Sequence, residues 1–301
     1  MPEIYTIKSI SEAHKLLGVK KPTHPLISVC KHTSNMNLNV KDIKVSFDMY
    51  IISLKSNLKG SINYGRNSYD FEEGTLLFMA PGQVMSVTEN PVADLKGWTL
   101  FIHPDLIHKS ELGEKINQYS FFDYNANEAL HISDKEKESL TEIVQKIQSE
   151  LNQNIDKHSQ NIILHNLESI LKYSERFYDR QFLTRTNHSK DFVTNFEKYL
   201  RTYFNSKNLV LKGMPTVTEC GEALSMSGHY LSDLLKIETG KTAKEHIHIK
   251  LINKAKSKLL NSDISVKSLA YDLGFESPQY FSKLFKTKTN MSPSEFRKPR
   301  A

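Results

Sequence analysis

The sequence predicts an α+β chain of two domains. Residues 1–182 read as a small β-barrel or jelly roll with trailing helices. Residues 191–301 read as an all-α domain of two helix-turn-helix units joined by a central helix. Three observations carry this. Short β-branched and aromatic runs, broken by Gly, Pro and Asn, fill residues 26–102. Helical periodicity takes over near residue 133. Near the C-terminus one segment occurs twice, as "LSMSGHYLSDLLKIETGKTAKEH" (224–246) and "LGFESPQYFSKLFKTKTNMSPSEFRK" (273–298). An internal duplication outweighs any single short motif.

The strand runs are "VSFDMYIISL" (45–54), "TLLFMA" (75–80) and "GWTLFI" (97–102). "LKGSINYGRN", "APGQ" and "ENPVADLKG" supply the turns between them. Ser133 and Glu136 form a capping-box pattern ahead of a stripe of Leu140, Ile143, Val144, Ile147 and Leu151. A second helix starts near His158 and carries Ile163, Leu167, Ile170 and Leu171. These stripes either pack on the barrel or pair with a second subunit, since one sequence does not separate the two kinds of burial. "LTRTNHSK" (183–190) is polar and aperiodic and reads as a linker. Phe192, Phe196, Tyr199 or Leu200, and Tyr203 open the second domain.

Composition narrows the class. A chain of 301 residues, 39% hydrophobic and 25% charged, suits a soluble globular protein. Charges within "MPEIYTIKSISEAHK" argue against a signal peptide, and no run nears the ~18 apolar residues of a membrane span. A cytoplasmic protein with no membrane partner is expected. Cys30 and Cys220 fall in different domains, which argues against a disulfide framework or a cysteine zinc site. The net charge of +6 is uneven. Residues 1–180 hold 20 Lys and Arg against 23 Asp and Glu, and residues 181–301 hold 20 against 11. A basic half points towards nucleic acid, although charge alone also fits a plain solvated surface.

The duplicated units span 216–240 and 265–290. Tyr230, Ser232, Leu234, Lys236, Thr239 and Glu245 recur fifty residues on as Tyr280, Ser282, Leu284, Lys286, Thr289 and Glu295. Before the turn the offset is 49, so the second turn is one residue longer. Thr216 with Glu219, and Ser265, cap the first helices, whose inward residues are Val217, Cys220 and Leu224, and Val266, Leu269, Ala270 and Leu273. Gly274 occupies a C-terminal position that favours a left-handed backbone. Ser227, and Ser277 followed by Pro278, cap the second helices, which turn Leu231, Leu234 and Leu235, or Phe281, Leu284 and Phe285, inward. Thr242 with Glu245, and Ser292 with Glu295, start the helices that follow.

In a helix-turn-helix the second helix enters the major groove. Its outward residues here are Ser227, His229, Ser232, Asp233 and Lys236 in the first unit. In the second they are Ser277, Gln279, Ser282, Lys283 and Lys286. Gln, Ser, Lys and His bond base edges or phosphates, while Asp accepts from cytosine N4 and otherwise repels phosphate. Double-stranded DNA is the expected partner.

Residues 191–300 resemble the DNA-binding domain of AraC/XylS-type bacterial transcription regulators. "LAYDLGFESPQYFSKLFKTKTNMSPSEFRK" carries the likeness through Ala270, Gly274, Phe275, Tyr280, Phe281, Phe285, Lys286, Pro293, Phe296 and Arg297, and "KAKSKLL" (254–260) resembles the family's central helix. The sequence departs from the family at Lys283 and Leu251, where Arg is common, and at Asp233. The resemblance implies recognition helices about one duplex turn (~10 bp) apart. It also implies a regulator, activation more than repression, RNA polymerase as a partner and a homodimer.

The N-terminal half is similar, more loosely, to a cupin-type sensor domain, with "GTLLFMAPGQ" (74–83) the best fragment. The histidine cluster of metal-binding cupins is missing, as no histidine lies between residues 33 and 102. No metal, other cofactor or catalytic residue is expected. A small-molecule effector could meet Tyr64, Arg66, Trp98 or His103. The competing reading is a DNA-binding domain fused to an enzymatic or purely ligand-binding module. For the enzymatic version Cys30, near His32, is the one N-terminal nucleophile.

Overall fold

The computed structural model describes residues 4–32, 44–56, 74–86, 96–125, 128–154, 156–184 and 186–297. It divides into two compact units, Met1–Gln181 and Phe182–Ala301.

The first unit opens with β1 (Ile4–Ile7) and α1 (Ile10–Leu16), the latter capped by Ser9, whose hydroxyl accepts from the Glu12 amide. Then come β2 (Ile27–Lys31), β3 (Lys44–Phe47), β4 (Tyr50–Ser56), β5 (Thr75–Met79), β6 (Val84–Ser86) and β7 (Lys96–Ile102). The short helices α2 (Pro104–Ile107) and α3 (Glu111–Lys115) lead to β8 (Leu130–His131) and two long helices, α4 (Asp134–Leu151) and α5 (Ser159–Thr184).

Two sheets result, in the orders β1-β3-β6 and β2-β7-β4-β5-β8. The ladders of the described strands do not close into the expected barrel. The run 45–54 is not one strand. It breaks at Asp48 and Met49, sending β3 to one sheet and β4 to the other. The strand alternation separates two faces of the larger sheet. Cys30, Ile51, Met79 and Phe101 join a core with Ile7, Ile10, Val45 and Phe47 from the smaller sheet and α1. On the larger sheet's other face Phe78 packs on Phe121, at 4.4 Å between ring centroids, and near Tyr178 of α5. The anticipated box of Ser133 and Glu136 forms at α4, where Leu140, Val144, Ile147 and Leu151 are buried. Ile163, Leu167, Ile170 and Leu171 are buried along α5.

The second unit contains α6 (Thr186–Asn205), α7 (Asn208–Lys212), α8 (Val217–Ala223), α9 (Gly228–Thr239) and α10 (Ala243–Asn261), followed by α11 (Val266–Asp272), α12 (Pro278–Thr289) and α13 (Pro293–Arg297). The backbone across the anticipated linker is helical up to Thr184 and again from Thr186. Phe196, Leu200 and Tyr203 line the buried side of α6.

Candidate nucleic-acid interface

Each unit is assembled from caps outward. In the first, Thr216 Oγ1 accepts from the Glu219 amide at 3.1 Å while Glu219 Oε2 accepts from the Thr216 amide at 2.7 Å. This satisfies two amide donors that the start of α8 would otherwise leave open. The chain turns at Ser225, with a left-handed φ of 61°. Ser227 Oγ then accepts from the Tyr230 amide at 3.1 Å and starts α9. In the second unit Ser265 Oγ accepts from the Ser268 amide at 3.0 Å. Gly274 makes the turn with φ 78°, and Ser277 caps α12 ahead of Pro278. Both second helices end in a left-handed residue, Gly240 and Asn290.

The central helix α10 is pinned to both units. At its first turn, capped by Thr242 and Glu245, His246 Nε2 lies 2.7 Å from Thr239 Oγ1 at the end of α9. At its far end Lys258 Nζ donates to Asp272 Oδ2 of α11 at 2.9 Å. Arg297 donates to the Ile264 carbonyl, which ties α13 back to the start of the second unit. These ties cross sequence separations of 7, 14 and 33 residues. They hold two short helix pairs on one scaffold.

Leu231, Leu234 and Leu235, and Phe281 and Phe285, are buried as anticipated. Leu284 is only half-buried. On the outward side of α9, His229 and Lys236 are exposed, whereas Ser227, Ser232 and Asp233 are half-buried. On α12, Gln279, Lys283 and Lys286 are exposed, and Ser277 and Ser282 are half-buried. The two serine caps have part of their hydrogen-bonding capacity committed to the helix start. The Ser277 hydroxyl also donates to Gln279 Oε1 at 2.8 Å. Ser282 donates to the Pro278 carbonyl at 2.9 Å, so its hydroxyl proton is turned back onto its own helix. Lys283 and Lys286 have no salt-bridge partner among the described residues. Lys254 of α10, by contrast, is held inside the unit by the Phe204 carbonyl, and burial lowers its pKa.

Tyr280 lies outside the anticipated set. It is 54% exposed on α12, while its counterpart Tyr230 is 5% exposed on α9. The residue type is the same in both copies, so only three-dimensional context distinguishes them. What the outward side of α12 offers is two cations without a salt-bridge partner among the described residues, an exposed amide and an open phenol ring. Cations serve phosphates, and an amide serves a base edge.

In the first unit of the fold, Tyr64 and Arg66 lie outside the described residues. Trp98 is buried and donates Nε1–H to Thr141 Oγ1 at 3.1 Å. His103 caps α2. Cys30 Sγ sits 3.3 Å from His14 Nε2, and burial pushes its thiol pKa up. His32 reaches Thr99 at 2.8 Å, and burial lowers its pKa to about 4. Among the described residues no group of three or more His, Cys, Asp or Glu could hold a metal ion. A cleft of about 840 Å³ opens between α4 and the sheet, lined in part by Lys31, Trp98, Glu138 and Gln145. No helix among the described residues is long and apolar enough to cross a membrane.

Residues 220–299 match a family described as a helix-turn-helix domain. An uncharacterized transcriptional regulatory protein, YesN of Bacillus subtilis, is 37% identical over 79 residues, 26% of this chain and 22% of its own length. The HTH-type transcriptional activator RhaS of Escherichia coli O139:H28 is 35% identical over 79 residues, 26% of this chain and 28% of its own length. The chain therefore spans less than a third of the length of either relative. Among solved structures, the C-terminal domain of the response regulator yesN from Fusobacterium nucleatum is similar. It has 25% identity and a TM-score of 0.31, covering 35% of this chain and 99% of that one.

Proposed function

We propose that this chain, whose residues 220–299 match a helix-turn-helix domain family, is a sequence-specific DNA-binding transcription regulator of the AraC type. One observation carries the reading. Two capped helix pairs, pinned to one central helix, each turn a polar second helix outward, and the second of these presents Lys283 and Lys286 without salt-bridge partners among the described residues. In this reading the lysines anchor phosphates, and His229, Ser232, Asp233 and Lys236, with Gln279 and Ser282, face successive segments of the major groove. Ser227 and Ser277 set the starts of the two reading helices.

Activation is favoured over repression because RhaS carries that role in its name. Recruitment of RNA polymerase and a homodimer follow from the family resemblance, as does a cytoplasmic location. The domain division is 1–182, 183–190 and 191–301. The first of these is a regulatory unit, and the 840 Å³ cleft beside Trp98 is where an effector would be sought. The raised pKa and burial of Cys30 support a regulatory role over a catalytic one.

The test is a titration of the full chain against a random-sequence duplex at several salt concentrations. Affinity that falls steeply with salt, with Lys286→Ala reducing the log–log slope by about 1, supports the reading. An unchanged slope in that variant counts against it.

A further inference from the structure

A glutamine amide can read two kinds of base edge. Adenine, with its N7 acceptor and N6 donor, requires the amide oxygen and nitrogen together. Guanine presents two acceptors, N7 and O6, and requires donors alone. The state of the amide oxygen therefore decides which base a glutamine prefers.

Gln279 is exposed at the first turn of α12, two residues past the cap. Its Oε1 accepts a hydrogen bond from the Ser277 hydroxyl at 2.8 Å. The same Ser277 oxygen accepts from the Tyr280 amide. Ser277 is thus held from one side by the helix backbone and holds the glutamine from the other. With Oε1 drawn back to the cap, the Nε2 hydrogens are the part of the amide left to face a ligand. Proline at position 278 fixes φ at the intervening residue, which keeps the two side chains in register.

We infer that Ser277 is a positioning residue for base specificity. By holding Oε1 towards the cap, it leaves the Nε2 hydrogens of Gln279 turned to the ligand, so that the side chain prefers an acceptor edge, guanine first, over adenine. This rests on the DNA-binding reading above.

The experiment is selection from a randomised duplex library by the full-length chain, followed by binding measurements on the selected site with single base changes. The base pair read by Gln279 is the one whose preference vanishes in Gln279→Ala. At that position the wild type should favour guanine over adenine by about fivefold or more, the discrimination that one good side-chain contact supplies. Ser277→Gly keeps most of the cap but removes the donor. It should bring guanine and adenine within about twofold, while Ser277→Thr, which retains cap and donor, should keep the wild-type preference. Circular dichroism on each variant confirms that the helices remain. Adenine preference in the wild type at the Gln279-dependent position overturns the inference and leaves the DNA-binding reading standing. So does a guanine preference that survives Ser277→Gly. Absence of any sequence-dependent binding overturns both.

Discussion

Ser225 of the first helix-turn-helix unit and Gly274 of the second sit at corresponding positions and hold the same left-handed backbone, with φ 61° and 78°. Around them the crowding is reversed. A Cβ on Gly274 would lie 2.2 Å from the Leu209 carbonyl oxygen of α7, so the second unit has backbone packed against its turn. In the first unit the close approach falls one turn earlier in the helix. A Cβ on Gly221 would lie 2.7 Å from the Met226 carbonyl oxygen, whereas its counterpart Ala270 already carries one. The copies share caps and inward residues and differ in where two backbones meet. The pairing geometry is shared, and each copy carries its glycine where its own neighbours come closest.

The largest expected effect tests that difference. Gly274→Ala combines a positive φ with a backbone clash and should destabilise the second unit by about 3 kcal/mol. Urea unfolding followed by circular dichroism would measure it. A loss below about 1 kcal/mol would mean that α7 yields easily. Gly221→Ala should cost about 2 kcal/mol through the clash alone, because no positive φ is involved there.

The outward sides differ as well. Asp233 faces Lys283 across the alignment, and Tyr230 is buried where Tyr280 is open. Lys283→Ala should lower DNA affinity severalfold and reduce the salt slope by about 1, whereas Asp233→Lys should raise the slope by about 1. Equal and opposite changes would show that the two helices lie equally close to phosphate. A response confined to position 283 would assign anchoring to the second unit. Ser225→Gly should stabilise by about 0.5–1 kcal/mol, since a left-handed serine is strained where glycine is not. The same unfolding measurement reads it.

Position 246 against position 296 gives the smallest contrast. His246 packs edge-on to Phe196, while Phe296 of the second copy packs on Phe285. Burial, followed by smaller opposing effects of Glu197, Lys241 and Glu245, lowers the His246 pKa. Burial, helped by Lys288 and Lys244 and opposed by Glu245, lowers the His248 pKa as well. The unfolded chain then takes up protons first, at its ordinary value near 6.5, so stability is complete above about pH 6.5 and falls as pH drops through it. His246→Phe should flatten that decline without abolishing it, because His248 remains. A decline that is unchanged would place its origin elsewhere.

Much of the second unit was legible because its determinants are local. The capping patterns at Thr216, Thr242 and Ser292 all form, and the inward Leu and Phe positions are buried except for Leu224 and Leu284, which are half-buried. What local pattern could not reveal depends on distant chain. The parallel pairing of β1 with β3 joins residues forty apart, as Ile4 with Lys44. The break at Asp48 and Met49 falls inside one strand-like run, 45–54, and hydrophobicity does not report which sheet a strand joins. The helix α7 that crowds Gly274 is five residues long, too short to show a period. At the interface, residue types were readable, but the bond from Ser277 to Gln279 and the unequal exposure of the two tyrosines emerge only in three dimensions.

The central claim is that two units on one rigid helix read two segments of one duplex. Footprinting of the full chain on its selected site tests it most directly. The account predicts two protected major-groove segments on one side of the duplex, about one helical turn (~10 bp) apart, with binding lost when ~5 bp are inserted between them. A single protected segment, or binding indifferent to the insertion, would contradict it.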